Sequence, residues 1–315
     1  MSTTELNQFI RDTAQNLGFT KIGIASAKPD PLSKKKLTSW LDKNYHGTMH
    51  WINKRANERE NIHNYYPEAK SVISLALNYF TGTASNMEYG GKISNYAWGD
   101  DYHEIIKSRL YQLLKEIKSV YPEVNGIACV DTSPIMEKDW AQKAGIGWIG
   151  KHTNLITQDY GSWVFLGELL LDIELKYDVP FEEDLCGTCT ACLDACPTNA
   201  FPEPYVLNSS KCISYLTIEH RGDLPFEMED KLSGWIYGCD ICQEVCPWNI
   251  KFSQKSKEES FQSRTNLKKR TLAKWNQLTE EEFQTLFKGS AVKRTKYDGL
   301  KRNITLARKS LGKSE

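Results

Sequence analysis

The chain has 315 residues, long enough for two domains or for one large domain carrying an insertion. Apolar residues make up 40% and charged residues 25%, and 40 Lys/Arg balance 40 Asp/Glu, which excludes a disordered polyelectrolyte or a globally basic nucleic-acid coat. The opening MSTTELNQFIRD has no basic segment followed by an apolar core, and the greasiest run, WVFLGELLLDI, is too short and too acidic to span a membrane.

In chain order, ELNQFIRDTAQNLG (5–18) carries apolar residues at helical spacing and ends in Gly18, a helix stop. TKIGIAS (20–26) reads as a strand, PLSKKKLTSWLDKNY (31–45) as a helix and SVISLALNYF (71–80) as a buried strand. DYHEIIKSRLYQLLKEIKSVYP (101–122) is a strongly amphipathic helix stopped by Pro122. GIACVD (126–131) reads as a strand, PIMEKDWAQKAG (134–145) as a helix, and NLIT and SWVFLGELLLDI as strands. Helices interleaved with strands predict an α/β or α+β layer domain.

Eight of the nine cysteines then fall between Cys186 and Cys246, and the ninth, Cys129, reads as a small buried hydrophobe. With no secretory signal, clustered cysteines point to a reducing cytoplasm and to metal rather than disulfides. The first group is Cys186-x2-Cys189-x2-Cys192-x3-Cys196-Pro197; the second is Cys239-x2-Cys242-x3-Cys246-Pro247, with Cys212 between them. This is the spacing of bacterial two-cluster ferredoxins, in which the last cysteine of each run crosses to the other cluster. It predicts one [4Fe–4S] cluster on Cys186, Cys189, Cys192 and Cys246. The other falls on Cys196, Cys212, Cys239 and Cys242, with Cys212 replacing the missing first cysteine of the second run. Four-cysteine zinc sites are the alternative, but they lack the x2-x2-x3-Cys-Pro signature.

GIGWIG (145–150) matches G-x-G-x-x-G, but a helix precedes it and an extended segment follows, the reverse of a dinucleotide site. It reads instead as a loop that lets something flat or bulky approach. Asp101-x-His103 resembles the start of a cobalamin lower-ligand motif but lacks its glycine, so His103 reads as a helix N-terminal residue. Asp131, at the end of a strand and the start of a turn, is placed for acid/base work or for capping the next helix. From Gln284 to Glu315 nine Lys/Arg face two acids, a one-signed excess that reads as a solvated face or as a phosphate footprint.

Together, VDTSPIMEKDWAQKAGIGWIGKHTNLI, GSWVFLGELLLDI, CGTCTACLDACPTNAF, KCISYLTIEHRG, YGCDICQEVCPWN and FKGSAVKRTKYDGLKRN resemble the epoxyqueuosine reductase family, a likeness running from residue 5 to 308. The resemblance implies a nitroreductase-like cobalamin-binding domain over 1–180 and a ferredoxin-like module with two [4Fe–4S] clusters over 181–250. A helical, basic C-terminal segment that touches tRNA follows over 251–315. It implies reduction of epoxyqueuosine to queuosine at the tRNA wobble position, the last step of queuosine biosynthesis. Asp131 matches the family's proton donor. Cobalamin contacts carry over to Arg59, Ser94, Asp131, Met136, His152, Leu155, Leu166 and Ser214. The candidates for the tRNA backbone are Lys293, Arg294, Lys296, Lys301 and Arg302. The implied partners are tRNA carrying epoxyqueuosine and a flavodoxin- or ferredoxin-type electron donor, with the enzyme a monomer away from any membrane. The competing readings are a corrinoid reductase of a small molecule and a non-catalytic electron carrier.

Overall fold

The computed structural model describes residues 2–84, 90–264, 267 and 269–312. The chain forms two compact units. One comprises Met1–Asn44, His50–Asn78 and Tyr102–Cys189, the other Tyr45–Met49, Tyr79–Asp101 and Thr190–Glu315.

The first unit is built on a four-stranded sheet of β1 (Lys21–Ser26), β2 (Ser71–Asn78), β3 (Gly126–Cys129) and β4 (Val164–Leu171), in the order β1-β2-β4-β3. Every neighbouring pair is antiparallel, which settles the choice between α/β and α+β in favour of α+β. β2 is SVISLALN, a nearly unbroken apolar run, and it is buried along its whole length, as a central strand covered on both faces must be. The Tyr102–Val120 helix lays Ile106, Leu110, Leu113, Leu114 and Ile117 against the core, spaced three and four apart. Each such aliphatic side chain contributes about 1.5–3 kcal/mol on burial. Gly167 of β4 permits this packing, because a Cβ there would lie 2.6 Å from the Ile106 methyl.

The Thr3–Asn16 helix starts at a capping box, Ser2 with Glu5, and stops before Gly18 at φ +91°. The helix expected from Pro134 begins only at Glu137 and runs Glu137–Lys143. GIGWIG enters a hairpin in which Trp148–Ile149 pairs antiparallel with Leu155–Ile156. A Cβ on Gly147 would strike the Ile156 carbonyl, so what approaches this glycine is the chain's own backbone rather than a bulky ligand.

The second unit has an aromatic core of Trp98, Trp235, Tyr237, Trp275, Phe283 and Phe287. The Lys296–Gly312 helix packs on the Trp235–Tyr237 strand. Its Asn303, fully buried, donates to the Thr217 and Ile236 carbonyls at 2.8 and 2.9 Å, so a polar residue inside the core leaves no amide proton unpaired.

Candidate active site and cluster-binding loops

In the first unit the chain leaves β3 through Val130 and enters a turn with Asp131 at φ +38°, a left-handed conformation that costs a non-glycine residue energy. The next helix is capped at Met136 without a side-chain bond, so Asp131 is not its N-cap. Instead the Asp131 main-chain N–H donates to the Glu137 carboxyl, which holds the turn from below. The Asp131 side chain, 57% exposed, meets His103 Nε2 at 3.0 Å. His103 sits in the first turn of the Tyr102–Val120 helix, where its ring stacks on Tyr102 at 4.0 Å. Tyr102 in turn stacks on Phe165 of β4 at 4.1 Å. A strained turn, an acid, an imidazole and an aromatic stack on the sheet thus fix one exposed carboxylate.

The charges around it are unusual. Burial, and then the nearby Asp131, push the Glu137 carboxyl up to about 8. Glu168 of β4 is fully buried, neither of its oxygens has a hydrogen-bond partner among the described residues, and burial followed by Glu137 raises its pKa well above the ordinary range. Arg59 is the counter-charge: burial and Arg55 lower its pKa, while Glu58, Asp131 and Glu137 oppose that shift. Sequence reasoning placed His103 at a helix start but missed its bond to Asp131, and it missed Glu137 and Glu168 altogether. Glu168 had one signal, a lone acid inside the apolar run VFLGELLL.

His152 is 3% exposed, and burial, then Lys138, hold its pKa down to about 4. Its Nδ1 accepts the Asn154 N–H at 3.2 Å, which puts the ring proton on Nε2. Among the described residues that buried N–H has no partner. Leu155 is buried in the hairpin, and half-buried Leu166 packs on the same apolar cluster. Met136 is half-buried at the helix cap.

In the second unit Cys242 lies within electrostatic reach of Cys192, Cys196 and Cys212, Cys239 of Cys212 and Cys242, and Cys212 of Cys196. Burial first, then the neighbouring thiols, push Cys239 and Cys242 well up. Burial also raises Cys212, against the Tyr215 and Ser214 N–H groups aimed at its sulfur. The Ala200 N–H donates to Cys196 Sγ at 3.3 Å. Cys192 and Cys246 are buried. Among the described residues no three His, Cys, Asp or Glu side chains are set to hold a single metal ion; a four-iron cage keeps its ligands further apart than one zinc does. Half-buried thiols with N–H groups on their sulfurs suit a cationic cluster core that holds them as thiolates.

The other sequence-predicted residues are already engaged. Ser94 donates to Asp240, which also accepts the Asn95 N–H at 2.7 Å. The Ser214 carbonyl accepts from Thr217 in the Ile213–Ile218 helix. Arg294 forms a forked pair with Glu219, at 2.7 Å for its shortest contact. Lys301 caps Asn276 O at 2.7 Å, and Arg302 reaches the carbonyls of Leu216 and Gly222 at 2.8 and 2.6 Å. Lys293 and Lys296 are exposed.

A family model described as "4Fe-4S double cluster binding domain" matches residues 185–249, which contain all eight clustered cysteines. A second, described as "Epoxyqueuosine reductase QueG, DUF1730", matches residues 59–132, from Arg59 to just past Asp131. The class is therefore a two-cluster iron–sulfur oxidoreductase. An epoxyqueuosine reductase of Cyclobacterium marinum is 45% identical over 306 residues, 96% of this chain and 97% of its own. A crystal structure of epoxyqueuosine reductase with an epoxyqueuosine-modified tRNA stem loop superposes with a TM-score of 0.88 at 30% identity, covering 98% of this chain and 82% of that one. The Bacillus subtilis enzyme matches with a TM-score of 0.87 at 29% identity over 98% of this chain and 82% of its own; it is described with an aspartate catalytic loop swung out of its active site. The chain belongs to the epoxyqueuosine reductase family.

The expected fold class stands: a mixed α+β domain of nitroreductase type, a two-[4Fe–4S] module and a helical basic C-terminal segment. The cofactors of the family are cobalamin and two [4Fe–4S] clusters. The residues present fit both. None of the eight clustered cysteines is in a disulfide, and a corrin edged with amide carbonyls would find in His152 Nε2–H a buried donor with no partner among the described residues. Among the described residues no helix is long and apolar enough to cross a membrane.

Proposed function

We propose that this chain reduces epoxyqueuosine to queuosine in the wobble position of tRNA. The observation that carries the reading is the Asp131–His103 pair, an exposed carboxylate held at positive φ in a chain that also carries two-cluster cysteine loops. Converting an epoxide to an alkene takes two electrons and two protons and releases water. Asp131 gives a proton to the epoxide oxygen as a C–O bond opens. His103, 3.0 Å away, orients the carboxyl and returns a proton to it. Bound cobalamin supplies low-valent cobalt, a strong nucleophile and one-electron reductant.

Arg59, Ser94, Asp131, Met136, His152, Leu155, Leu166 and Ser214 are the residues we propose to hold cobalamin. Cys186, Cys189, Cys192 and Cys246 would hold one cluster, and Cys196, Cys212, Cys239 and Cys242 the other. The functional division is 1–180 for cobalamin and chemistry, 181–250 for electrons and 251–315 for tRNA. Within the last segment Lys293 and Lys296 present exposed ammonium groups to phosphate, whereas Arg294, Lys301 and Arg302 also brace the fold. The electron donor is a flavodoxin- or ferredoxin-type protein, and the enzyme works as a cytoplasmic monomer.

The test is anaerobic purification with cobalamin supplied, analysis of iron and cobalt per chain, and then turnover of an epoxyqueuosine-modified stem loop. The expected outcome is about eight irons, stoichiometric cobalt and formation of queuosine. Iron and cobalt with turnover of small electrophiles but not of the stem loop would shift the reading to a small-molecule reductase. Iron without cobalt would reduce the chain to an electron carrier.

A further inference from the structure

Lys151 follows the GIGWIG glycines and has no part in the reading above. It is 9% exposed, unusual for a lysine. The turn that carries it is closed by Gly150 N–H to Asn154 O at 2.9 Å and Thr153 N–H to Gly150 O at 2.8 Å, with Thr153 at φ +66°. This aims the side chain at the first cysteine loop, where Nζ donates to Gly187 O at 2.6 Å and Cys189 O at 2.9 Å. The loop has its own tight geometry, with Gly187 at φ +49° and Cys189 N–H on Cys186 O at 3.0 Å. Among the described residues no carboxylate pairs with Lys151, and two neutral carbonyls take its hydrogen bonds.

We propose that Lys151 is a positioning residue that sets the reduction potential of the iron–sulfur cluster bound through Cys186 and Cys189. This rests on the assignment of those two cysteines to a cluster. Reduction adds one electron, and so one negative charge, to the cluster. A buried ammonium beside the ligand loop stabilises the reduced form more than the oxidised one and raises the potential. Its burial keeps salt from screening the effect. The same side chain fixes the carbonyls of the loop, so charge and loop geometry are set together.

The experiment is a mediated dithionite titration of the anaerobically purified holoenzyme, followed by the paramagnetic signal of each reduced cluster and by iron content, for wild type, Lys151→Gln and Lys151→Arg. Gln keeps a donor for the carbonyls but not the charge; Arg keeps both. In Lys151→Gln, iron should stay at the wild-type level while one cluster becomes harder to reduce. Its reduced-to-oxidised ratio at fixed potential should fall about tenfold, ~59 mV for a one-electron couple. The other cluster should move less, and Lys151→Arg should stay near wild type. An unchanged potential in an iron-replete Lys151→Gln overturns the proposal and leaves Lys151 a brace for the loop. If Gln loses the cluster, Arg decides: a near-wild-type potential supports the proposal and a tenfold fall in that ratio overturns it. Loss of the cluster from both variants overturns it too, because the lysine would then hold the loop rather than tune what it binds. Wild-type protein without iron would instead remove the cluster assignment itself.

Discussion

The Asp131 turn and the Cys212–Cys242 loops solve opposite problems. Asp131 is held by strain, one imidazole and a glutamate beneath it, yet its side chain stays 57% exposed. Cys212, Cys239 and Cys242 sit within a unit whose core is tryptophan, tyrosine and phenylalanine, with burial pushing every one of those thiols up. A proton donor must touch its substrate and be reloaded afterwards, so it has to remain at a surface. A thiolate that ligates a cluster gains from exclusion of water, which protects the cluster and sets its potential. On the proposed roles, the proton chemistry would fall on an exposed, strained loop and most of the electron chemistry on half-buried or buried thiols.

The hardest test of that contrast is Asp131→Asn. It keeps the size of the side chain and an acceptor for His103 but removes the transferable proton. Turnover of the epoxyqueuosine stem loop should fall about 10²–10⁴-fold, with iron and bound cobalamin unchanged. Turnover at the wild-type level would take the proton-donor role away from Asp131; loss of iron would show that the two regions are not separable.

A smaller effect separates the groups behind Asp131. Glu137 has a folded pKa raised to about 8 by burial and then by Asp131, above its unfolded value. The folded state therefore binds more protons than the unfolded state through the neutral range. The stability this gives is complete below the unfolded pKa and is lost as pH rises through about 8. Glu137→Gln keeps an oxygen for the Asp131 N–H and abolishes the titration. Denaturant unfolding should show a decline between pH 6 and 8 that is shallower by about 2 kcal/mol in the variant. An identical decline in both proteins would mean that Glu137 ionises freely in the folded state.

These two regions were also unequally legible. Cysteine spacing is a local code, so C-x2-C-x2-C-x3-C-P and C-x2-C-x3-C-P marked seven ligand candidates and the two-cluster module, and Cys212 completed the second set. The sheet strands were legible for a similar reason, since SVISLALN and VFLGELLL are short apolar runs bounded by polar turns. What surrounds Asp131 was not, because it depends on pairings across the chain. His103 lies 28 positions from Asp131, and nothing in DYHEI marks that partner. The capping reading of Asp131 failed because the helix starts at Glu137, three residues later than Pro134 suggested. GIGWIG looked like room for a ligand because glycine signals close approach but not what approaches; Ile156 does.

The basic C-terminal segment shows the same limit of composition, and it offers the mildest test. Charge counting treats its lysines and arginines alike, yet they divide by what they touch. Arg302 spends its fork on the Leu216 and Gly222 carbonyls and Lys301 on Asn276, whereas Lys293 and Lys296 are exposed. Lys293→Glu with Lys296→Glu should therefore weaken stem-loop binding and flatten the plot of log affinity against log salt by up to about 0.7–0.9 for each phosphate no longer neutralised. Thermal stability should hardly change. Arg302→Ala should do the reverse, costing about 1.5–3 kcal/mol of stability as its charged hydrogen bonds disappear while leaving the salt slope alone. If the lysine pair leaves the slope unchanged, that face is merely solvated. If Arg302→Ala flattens the slope without loss of stability, its guanidinium leaves the carbonyls to meet phosphate.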